Sequence, residues 1–364
     1  MAPSLYHPLY FFIITIFCIS VAFRYVSSNS YSLQLGRYNI YLPLALSLFL
    51  VFWLGFRPIS GVYFGDTGNY ALEYALMDTR EEVEVNWKNE WVWTLLMQLC
   101  KTSQVSVSVF FTIVEAGYIL LAFWAIKRFI PSNPLVGMLF VLSSLMFYNF
   151  GINGLRNGLA CSVVLLGITY FLDDKYWKAA FWAFLAFGIH RSVILPIMAV
   201  IAGRYFIKNY RYAVYLWVGC IVVSLFAGNI FMEFFSSLGF DDRMTSYLNA
   251  DYEDTSTEKG FRWDFLLYST PPIVFAWYLI IKRGINDGWY NTLSIAYCLA
   301  NAFWVLIIRV AFTNRFAYLS WFLYPVLIAY PLINLPIWKN QDKIIGIVLA
   351  FYCCFTLILQ MIIW

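Results

Sequence analysis

The chain has 364 residues, of which 62% are hydrophobic and 12% are charged, and its formal net charge is +4. Its mean hydropathy is +0.70. Because a soluble domain carries about 25% charged residues, this composition excludes an ordinary soluble protein and indicates a polytopic membrane protein.

Apolar runs recur along the whole chain and predict an all-α protein of about twelve transmembrane helices. The predicted spans are residues 9–23, 40–55, 105–126, 134–150, 152–172, 176–189, 192–202, 213–235, 265–281, 291–308, 316–335 and 344–364. The first run follows no basic residues and precedes no small-residue cleavage site, which favours a retained span over a signal peptide. Residues 1–364 are therefore expected to form a single integral membrane domain.

The charges separate two kinds of connecting segment. The short loops between spans are basic, whereas fourteen of the twenty carboxylates lie within residues 57–101 and 240–264. The positive-inside rule assigns basic loops to the cytoplasm. Two long segments, residues 57–104 and 238–264, are therefore predicted to be extracytoplasmic, together with both termini.

The first outer segment contains two informative stretches. "SGVYFGDTGNYALEYALM" interleaves aromatic residues with Asp66 and Asn69, a pattern typical of sugar-binding sites but also of aromatic belts at membrane surfaces. "EEVEVNWKNEWVWTLLMQL" predicts an amphipathic helix at the interface, anchored by Trp87, Trp91 and Trp93.

Arginines recur where spans meet the predicted outer side. In "FYNFGINGLRNGLACSVVLLGITYF", Arg156 lies in the first turns of a span, where an uncompensated charge costs about 2.5 kcal/mol or more. Arg57, Arg309 and Arg315 occupy similar positions. One such arginine is typical of an interfacial anchor, whereas several on the side where positive charge is depleted indicate a bound anion. Guanidinium groups and helix N-termini both favour phosphate, so we expect a lipid phosphate or pyrophosphate.

The run from residue 176 to residue 202 is interrupted by His190 and Arg191. Its flanks, "DDKYWK" and "RYFIKNYR", both carry cytoplasm-type basic charge. A short broken hairpin turning at "GIHRS" satisfies both observations and would place the His–Arg pair in a cavity open to the outside. The alternative is one long helix with a snorkelling Arg191.

In order and spacing, these motifs resemble the EpsG-like branch of the Wzy-type polysaccharide polymerases, which build O-antigen, capsule or exopolysaccharide. "GLRNGLA" is similar to the family's Arg-polar-Gly-x-Ala element, and "FGIHRSVILP" to its Phe/Ile-His-x-Ser element followed by proline. "FR…FGDTGNY" and, loosely, "NRFAY" extend the resemblance from Arg57 to Tyr318. Arg191 departs from the pattern, since a small or polar residue is more usual after the histidine.

The resemblance implies a GT-C-like, multi-pass enzyme of the bacterial inner membrane with its active site facing the periplasm. Such an enzyme is a metal-independent glycosyltransferase that moves a growing glycan from undecaprenyl pyrophosphate to a lipid-linked repeat unit. Lipid-linked oligosaccharide would be both donor and acceptor, membrane lipid would surround it, and a chain-length regulator is a candidate protein partner. Neither a cofactor nor nucleic acid is expected.

Three residues are the candidate catalytic groups. Arg156 would stabilise the leaving pyrophosphate, Asp66 would act as general base, and His190 would orient the substrate. Asp66 in a turn also has the simpler interpretation of a capping residue. The candidate substrate-binding residues are Arg57, Asn69, Tyr70, Asn157, Arg191, Arg309, Arg315 and Tyr318. With two histidines and no carboxylate–histidine cluster in the sequence, no metal site is expected.

Two other functions share part of this pattern. A flippase or exporter of lipid-linked oligosaccharide would also hold arginines in a cavity, but its sequence should show two pseudo-symmetric halves. A membrane O-acyltransferase would also use an intramembrane histidine, together with a donor tunnel reached from the cytoplasm.

Overall fold

The computed structural model describes residues 1–27, 40–77, 90–237, 260–310 and 313–363. These residues are helical and contain no β-strand, which confirms the all-α prediction. Packing divides the chain into two compact units, Met1–Arg191 with Ile328–Trp364, and Ser192–Leu327. The expectation of one integral membrane domain stays a prediction.

The first unit contains ten helices before its boundary at Arg191, among the residues described. They are α1 Tyr6–Ser27, α2 Tyr41–Gly55, α3 Gly61–Phe64, α4 Thr67–Leu76, α5 Trp91–Thr102, α6 Val107–Phe129, α7 Pro134–Leu142, α8 Phe147–Ile152, α9 Leu155–Leu172 and α10 Tyr176–Ile189.

The remaining helices belong to the second unit or return the chain to the first. They are a 3₁₀ turn Arg191–Val193, α11 Ile194–Ile201, α12 Tyr210–Ser237, α13 Trp263–Ala276, α14 Gly288–Leu306, α15 Thr313–Trp321, α16 Tyr324–Asn334 and α17 Gln341–Ile363. π-Helical turns follow α11 and α13.

Six helical segments in the described ranges are long and apolar enough to cross a membrane. They are Pro3–Ser27, Val107–Phe129, Leu155–Leu172, Trp263–Lys282, Thr313–Asn334 and Gln341–Ile362. They support a multi-pass membrane protein, while the count of twelve spans and the GT-C-like arrangement stay predictions.

The predicted span 134–150 is wrong as one helix. Helix α7 ends at Leu142, and α8 begins at Phe147. Between them, the hydroxyl of Ser143 donates to the carbonyl of Leu139 at 2.6 Å, and that of Ser144 donates to the carbonyl of Val141 at 2.7 Å. Such bonds compete with the helical ladder and favour its end.

Helix α9 is the centre of the first unit. It packs against α6 on one side and α10 on the other, while α2 packs on α6 and α1 packs on α17. This burial explains why the span that begins at Leu155 is almost continuously apolar after its first turn. The turn that carries Arg156 therefore has a rigid support.

A polar cluster lies in the interior of the second unit. Asn301 donates to the hydroxyls of Ser269, at 3.2 Å, and Ser320, at 2.9 Å, and accepts from the indole N–H of Trp217 at 2.8 Å. The Trp321 indole also donates to Ser269, at 2.7 Å. Hydrogen bonds of this kind hold helices α12 to α15 together. Apolar side chains alone give little driving force for helix association in lipid, because lipid tails are equally apolar.

The predicted break at "GIHRS" is confirmed, and the alternative of one continuous helix is wrong. His190 has extended backbone angles, φ −154° and ψ 120°, at the end of α10. Pro196 lies in the first turn of α11 and cannot donate a hydrogen bond to a preceding turn, so the helix restarts there. Because α10 and α11 belong to different units, their arrangement as a hairpin stays a prediction.

The two long segments predicted to be extracytoplasmic are only partly described. Residues 57–77 and 90–104 form α3, α4 and α5. Residues 78–89, with the predicted anchor Trp87, and residues 238–259 lie outside the described ranges.

Candidate active site

The backbone around Asp66 is fixed by a side chain from another helix. Asn153, which follows α8, accepts a hydrogen bond from the Asp66 N–H through its Oδ1 at 2.8 Å. Gly65 allows this approach, since its φ is +52° and a Cβ there would lie 2.4 Å from the same oxygen. Gly65 therefore allows close contact between this turn and Asn153 of the same chain.

Asp66 occupies the N-cap position of α4, but its carboxylate makes no capping hydrogen bond. The simpler interpretation as a turn-capping side chain is therefore wrong. Its Oδ1 accepts from the amide of Asn69 at 3.4 Å, and its carbonyl accepts from the N–H of Tyr70 at 2.9 Å. Asn69 is exposed, Asp66 is half-buried and Tyr70 is buried.

Arg57 is buried inside the first unit, with a side chain that has no exposed surface. Its guanidinium donates five hydrogen bonds, which reach the carbonyls of Leu54 and Ile152, the Glu115 carboxylate and, twice, the hydroxyl of Thr67. A guanidinium has five N–H groups. The geometry thus gives Arg57 a structural role that differs from the predicted substrate contact.

Glu115 is a buried charged residue that was not among the residues predicted from the sequence. It lies within α6, its side chain is fully buried, and Oε1 is 2.9 Å from Nη1 of Arg57. Its position inside an apolar run could have indicated an ion pair, because a carboxylate in such a run requires a partner.

Arg156 lies in the first turn of α9 and keeps 15% of its side chain exposed. Its Nη1 is 2.6 Å from Oε2 of Glu90, and its Nε donates to the hydroxyl of Tyr70 at 3.4 Å. The guanidinium carbon lies 5.2 Å from the centre of the Tyr70 ring and 5.8 Å from that of Trp93. Two aromatic rings and a carboxylate therefore compensate the charge.

The same carboxylate also contacts His190. Nδ1 of His190 and Oε1 of Glu90 form a close hydrogen-bonded pair, and 14% of the histidine side chain is exposed. Glu90 thus bridges Arg156 and His190, with a different oxygen for each. We call these three residues the Glu90 cluster.

Gly188 explains how two distant segments meet at this cluster. A Cβ on Gly188 would lie 2.4 Å from Cγ2 of Val92 and 2.7 Å from the ring of Trp91. Helices α5 and α10 can therefore approach closely, because Val92 of α5 lies two residues from Glu90 and Gly188 of α10 lies two residues from His190.

Helix α5 buries one of the tryptophans that were predicted to anchor it at the membrane interface. Trp93 is 1% exposed, and its ring packs against those of Tyr70 and Phe110 at centroid distances of 5.4 Å and 5.6 Å. Its predicted role as a membrane anchor is wrong, because its surface is used to support the cluster. Glu90 was missed because it appeared to belong to the acidic interfacial stretch.

The other predicted residues fall into two groups. In the first unit, Asn157 is buried on α9 and accepts from the thiol of Cys161 at 3.3 Å, while half-buried Arg191 begins the 3₁₀ turn. The second unit contains the remaining three, Arg309, Arg315 and Tyr318.

In that second unit, the guanidinium carbon of Arg309 lies 5.6 Å from the ring centre of Phe261. Arg315 is half-buried and Tyr318 is buried, both on α15. The predicted substrate-binding roles of these residues stay predictions, as do those of Asn157 and Arg191.

The Glu90 cluster combines groups that are suited to anion binding and to acid–base transfer. A guanidinium can hold an oxyanion, an imidazole can exchange a proton, and the carboxylate can orient both. Within the described part of the chain, no group of three or more His, Cys, Asp or Glu side chains is arranged to hold a metal ion.

Comparison with known proteins identifies a family. The protein-family model described as "EpsG family" matches residues 40–363, a range that contains every candidate residue named above. No curated protein and no solved structure matches the chain.

Proposed function

The chain belongs to the EpsG family, and from this premise we propose that it is a polysaccharide polymerase of the bacterial inner membrane. It transfers a growing glycan from undecaprenyl pyrophosphate to the terminal sugar of a lipid-linked repeat unit. Family membership over residues 40–363 is the observation that carries this proposal, and six membrane-length helices agree with it.

The proposed reaction is a displacement at the anomeric carbon of the donor. The acceptor hydroxyl oxygen forms the new glycosidic bond, and the old carbon–oxygen bond breaks with its electron pair remaining on the pyrophosphate. The hydroxyl proton passes to a base on the protein. The enzyme must therefore supply an anion ligand for the leaving group and a proton acceptor.

Arg156 is the proposed anion ligand. Its guanidinium already binds a carboxylate at 2.6 Å, and phosphate oxygens present the same kind of acceptor to the same fork. Its partial burial strengthens such an interaction relative to that at a fully solvated arginine. Tyr70, which receives the Nε hydrogen bond, orients the guanidinium.

Two residues are proposed as the proton acceptor, Asp66 and His190. Asp66 is half-buried on the segment that also carries Tyr70, whereas His190 is paired with Glu90. Asn69, exposed beside Asp66, is suited to contact a sugar hydroxyl. Both candidates lie in the unit that holds Arg156.

The proposed orientation places this unit's Glu90 cluster at the periplasmic side of the membrane. It rests on the distribution of charge, since the basic loops are short and the acidic segments long. A lipid-linked donor presented on that side would reach Arg156 at the entrance of α9.

The test is reconstitution. Purified full-length protein in lipid nanodiscs receives a synthetic repeat unit linked to a polyprenyl pyrophosphate, and products are separated by size. We expect a ladder of integer multiples of the repeat, and no ladder with Arg156→Ala. Transport of the substrate without elongation, or acylation of it, would contradict the polymerase assignment.

A further inference from the structure

We propose that Glu90 is a positioning residue that releases Arg156 to the substrate and keeps its contact with His190. In the resting site its carboxylate holds both Arg156 and His190. The donor pyrophosphate displaces it from Arg156, after which Glu90 holds His190 alone and orients it as the general base. This inference rests on the proposed function and assigns the role of base to His190 instead of Asp66, the residue that the sequence favoured.

The geometry separates the two contacts of Glu90. Oε2 faces Nη1 of Arg156, and Oε1 faces Nδ1 of His190. Loss of the arginine contact therefore leaves the histidine contact in place. Glu90 can change partners on one side without releasing the other.

Because the site is partly buried, pyrophosphate is expected to replace Glu90 on Arg156 rather than to bind beside it. The side chains of Glu90, Arg156 and His190 are 17%, 15% and 14% exposed. Two anions on one partly desolvated guanidinium repel each other more strongly than they would in water. An arriving pyrophosphate must therefore compete with the carboxylate for Arg156.

The remaining contact defines how the imidazole works. An ionised carboxylate only accepts hydrogen bonds, so Nδ1 of His190 carries the proton that faces Oε1. In the neutral ring Nε2 is then the basic nitrogen. During transfer, the acceptor hydroxyl's proton moves to Nε2, its oxygen bonds to the anomeric carbon, and pyrophosphate leaves with the electron pair. Glu90 stabilises the resulting imidazolium without taking the proton.

The proposal requires that loss of the Glu90 carboxylate strengthens pyrophosphate binding and slows turnover, and the experiment measures both. Binding of inorganic pyrophosphate to purified full-length protein is measured by titration calorimetry for the wild type and Glu90→Gln. Without the competing carboxylate, the variant should bind pyrophosphate roughly tenfold more tightly, because Arg156 is no longer withheld. Its turnover with the lipid-linked repeat should fall by about a hundredfold, because the base loses its partner.

A matched control is available at the other end of α9. Arg128 and Asp173 form a second partly buried ion pair, with side chains 27% and 29% exposed. Asp173→Asn should leave both pyrophosphate affinity and turnover at wild-type values. Glu90→Asp, which withdraws the carboxylate by one methylene, should bind pyrophosphate more tightly than the wild type and turn over more slowly.

The outcomes distinguish this inference from the proposed function. Unchanged or weaker pyrophosphate binding by a folded Glu90→Gln protein would overturn the exchange, even if the wild type makes ladders. If Glu90→Gln does not fold, wild-type binding and turnover in Glu90→Asp would overturn it instead. If the wild type makes no ladder while Glu90→Gln binds pyrophosphate more tightly, the polymerase assignment fails and the exchange stands.

Discussion

Arg57 and Glu115 form an ion pair with no exposed side-chain surface, in which Nη1 lies 2.9 Å from Oε1. Arg57 follows α2 and Glu115 lies within α6, so the pair joins two packed helices. Because Arg57 also binds the carbonyl of Ile152, it connects these helices to the segment that leads to Arg156.

The first prediction concerns this pair. Arg57→Met should reduce the free energy of unfolding by about 3–5 kcal/mol, because it leaves the buried Glu115 carboxyl without its partner. Thermal unfolding in detergent measures the change. The double variant Arg57→Met/Glu115→Leu should recover most of the loss. A stable Arg57→Met protein with only a raised KM would instead support the substrate contact predicted from the sequence.

The second prediction concerns Arg156. Arg156→Ala should abolish polymerisation while the protein remains folded, and Arg156→Lys should restore little, because an ammonium group lacks the planar fork. Ladder assays and size-exclusion profiles measure the two properties. Arg128→Lys, at an ion pair outside the Glu90 cluster, is the control and should keep its activity. A near-normal ladder from Arg156→Lys would refute the bidentate role.

The third prediction tests the close approach at Gly188. Gly188→Ala would place a Cβ against the side chains of Val92 and Trp91, so these must move, and we expect the neighbouring contact between Glu90 and His190 to be displaced. Turnover should fall on the order of a hundredfold, as a displacement of about 1 Å can cause.

The matched control for Gly188 is Gly219, a glycine of α12 around which a Cβ would meet nothing within 4 Å. Gly219→Ala should therefore retain wild-type turnover. Equal activities in the two alanine variants would show that the approach of α5 to α10 does not set the geometry of the cluster.

The fourth prediction separates the two proton acceptors. At saturating lipid substrate, His190→Gln should lose about a hundredfold in kcat with substrate binding largely intact. Asp66→Asn should keep most of its kcat and raise KM, because the carboxylate then only helps to bind the acceptor. Loss of kcat in Asp66→Asn alone would return the base to Asp66, the residue that the sequence favoured.

The fifth prediction concerns topology around the break at His190. In a background without the seven native cysteines, Ser192→Cys should react with a membrane-impermeant thiol reagent added from outside. Lys178→Cys and Lys208→Cys should both be protected. External labelling of one flank but not the other would show that the chain crosses the membrane once between them.

The features that could be predicted from the sequence are those that depend on residues close together in the chain. The apolar runs indicate the helices, "GIHRS" indicates the break at His190, and the charge of Arg156 indicates a site at the start of α9. The close approaches at Gly65 and Gly188 follow from the structure, since neither the approach of Asn153 nor that of Val92 was predicted.

The partners of these residues could not be predicted, because they are distant in sequence. Glu90 is sixty-six residues from Arg156 and one hundred from His190. Its own surroundings, acidic on one side and tryptophan-rich on the other, are typical of an interfacial helix. Only the packing of α5 against α10, set by Gly188, brings it to the cluster.

The packing of α1 against α17 has a consequence for biosynthesis. His7 lies within hydrogen-bonding distance of Gln360, at 3.0 Å, and Cys353 lies 3.8 Å from Thr15. Translation proceeds from α1 towards α17, so α1 enters the membrane long before its partner exists. During that interval its inner face must be covered by lipid or by an insertion chaperone. The unit that carries Arg156 is therefore finished last, after the ribosome has already delivered every helix of the other unit.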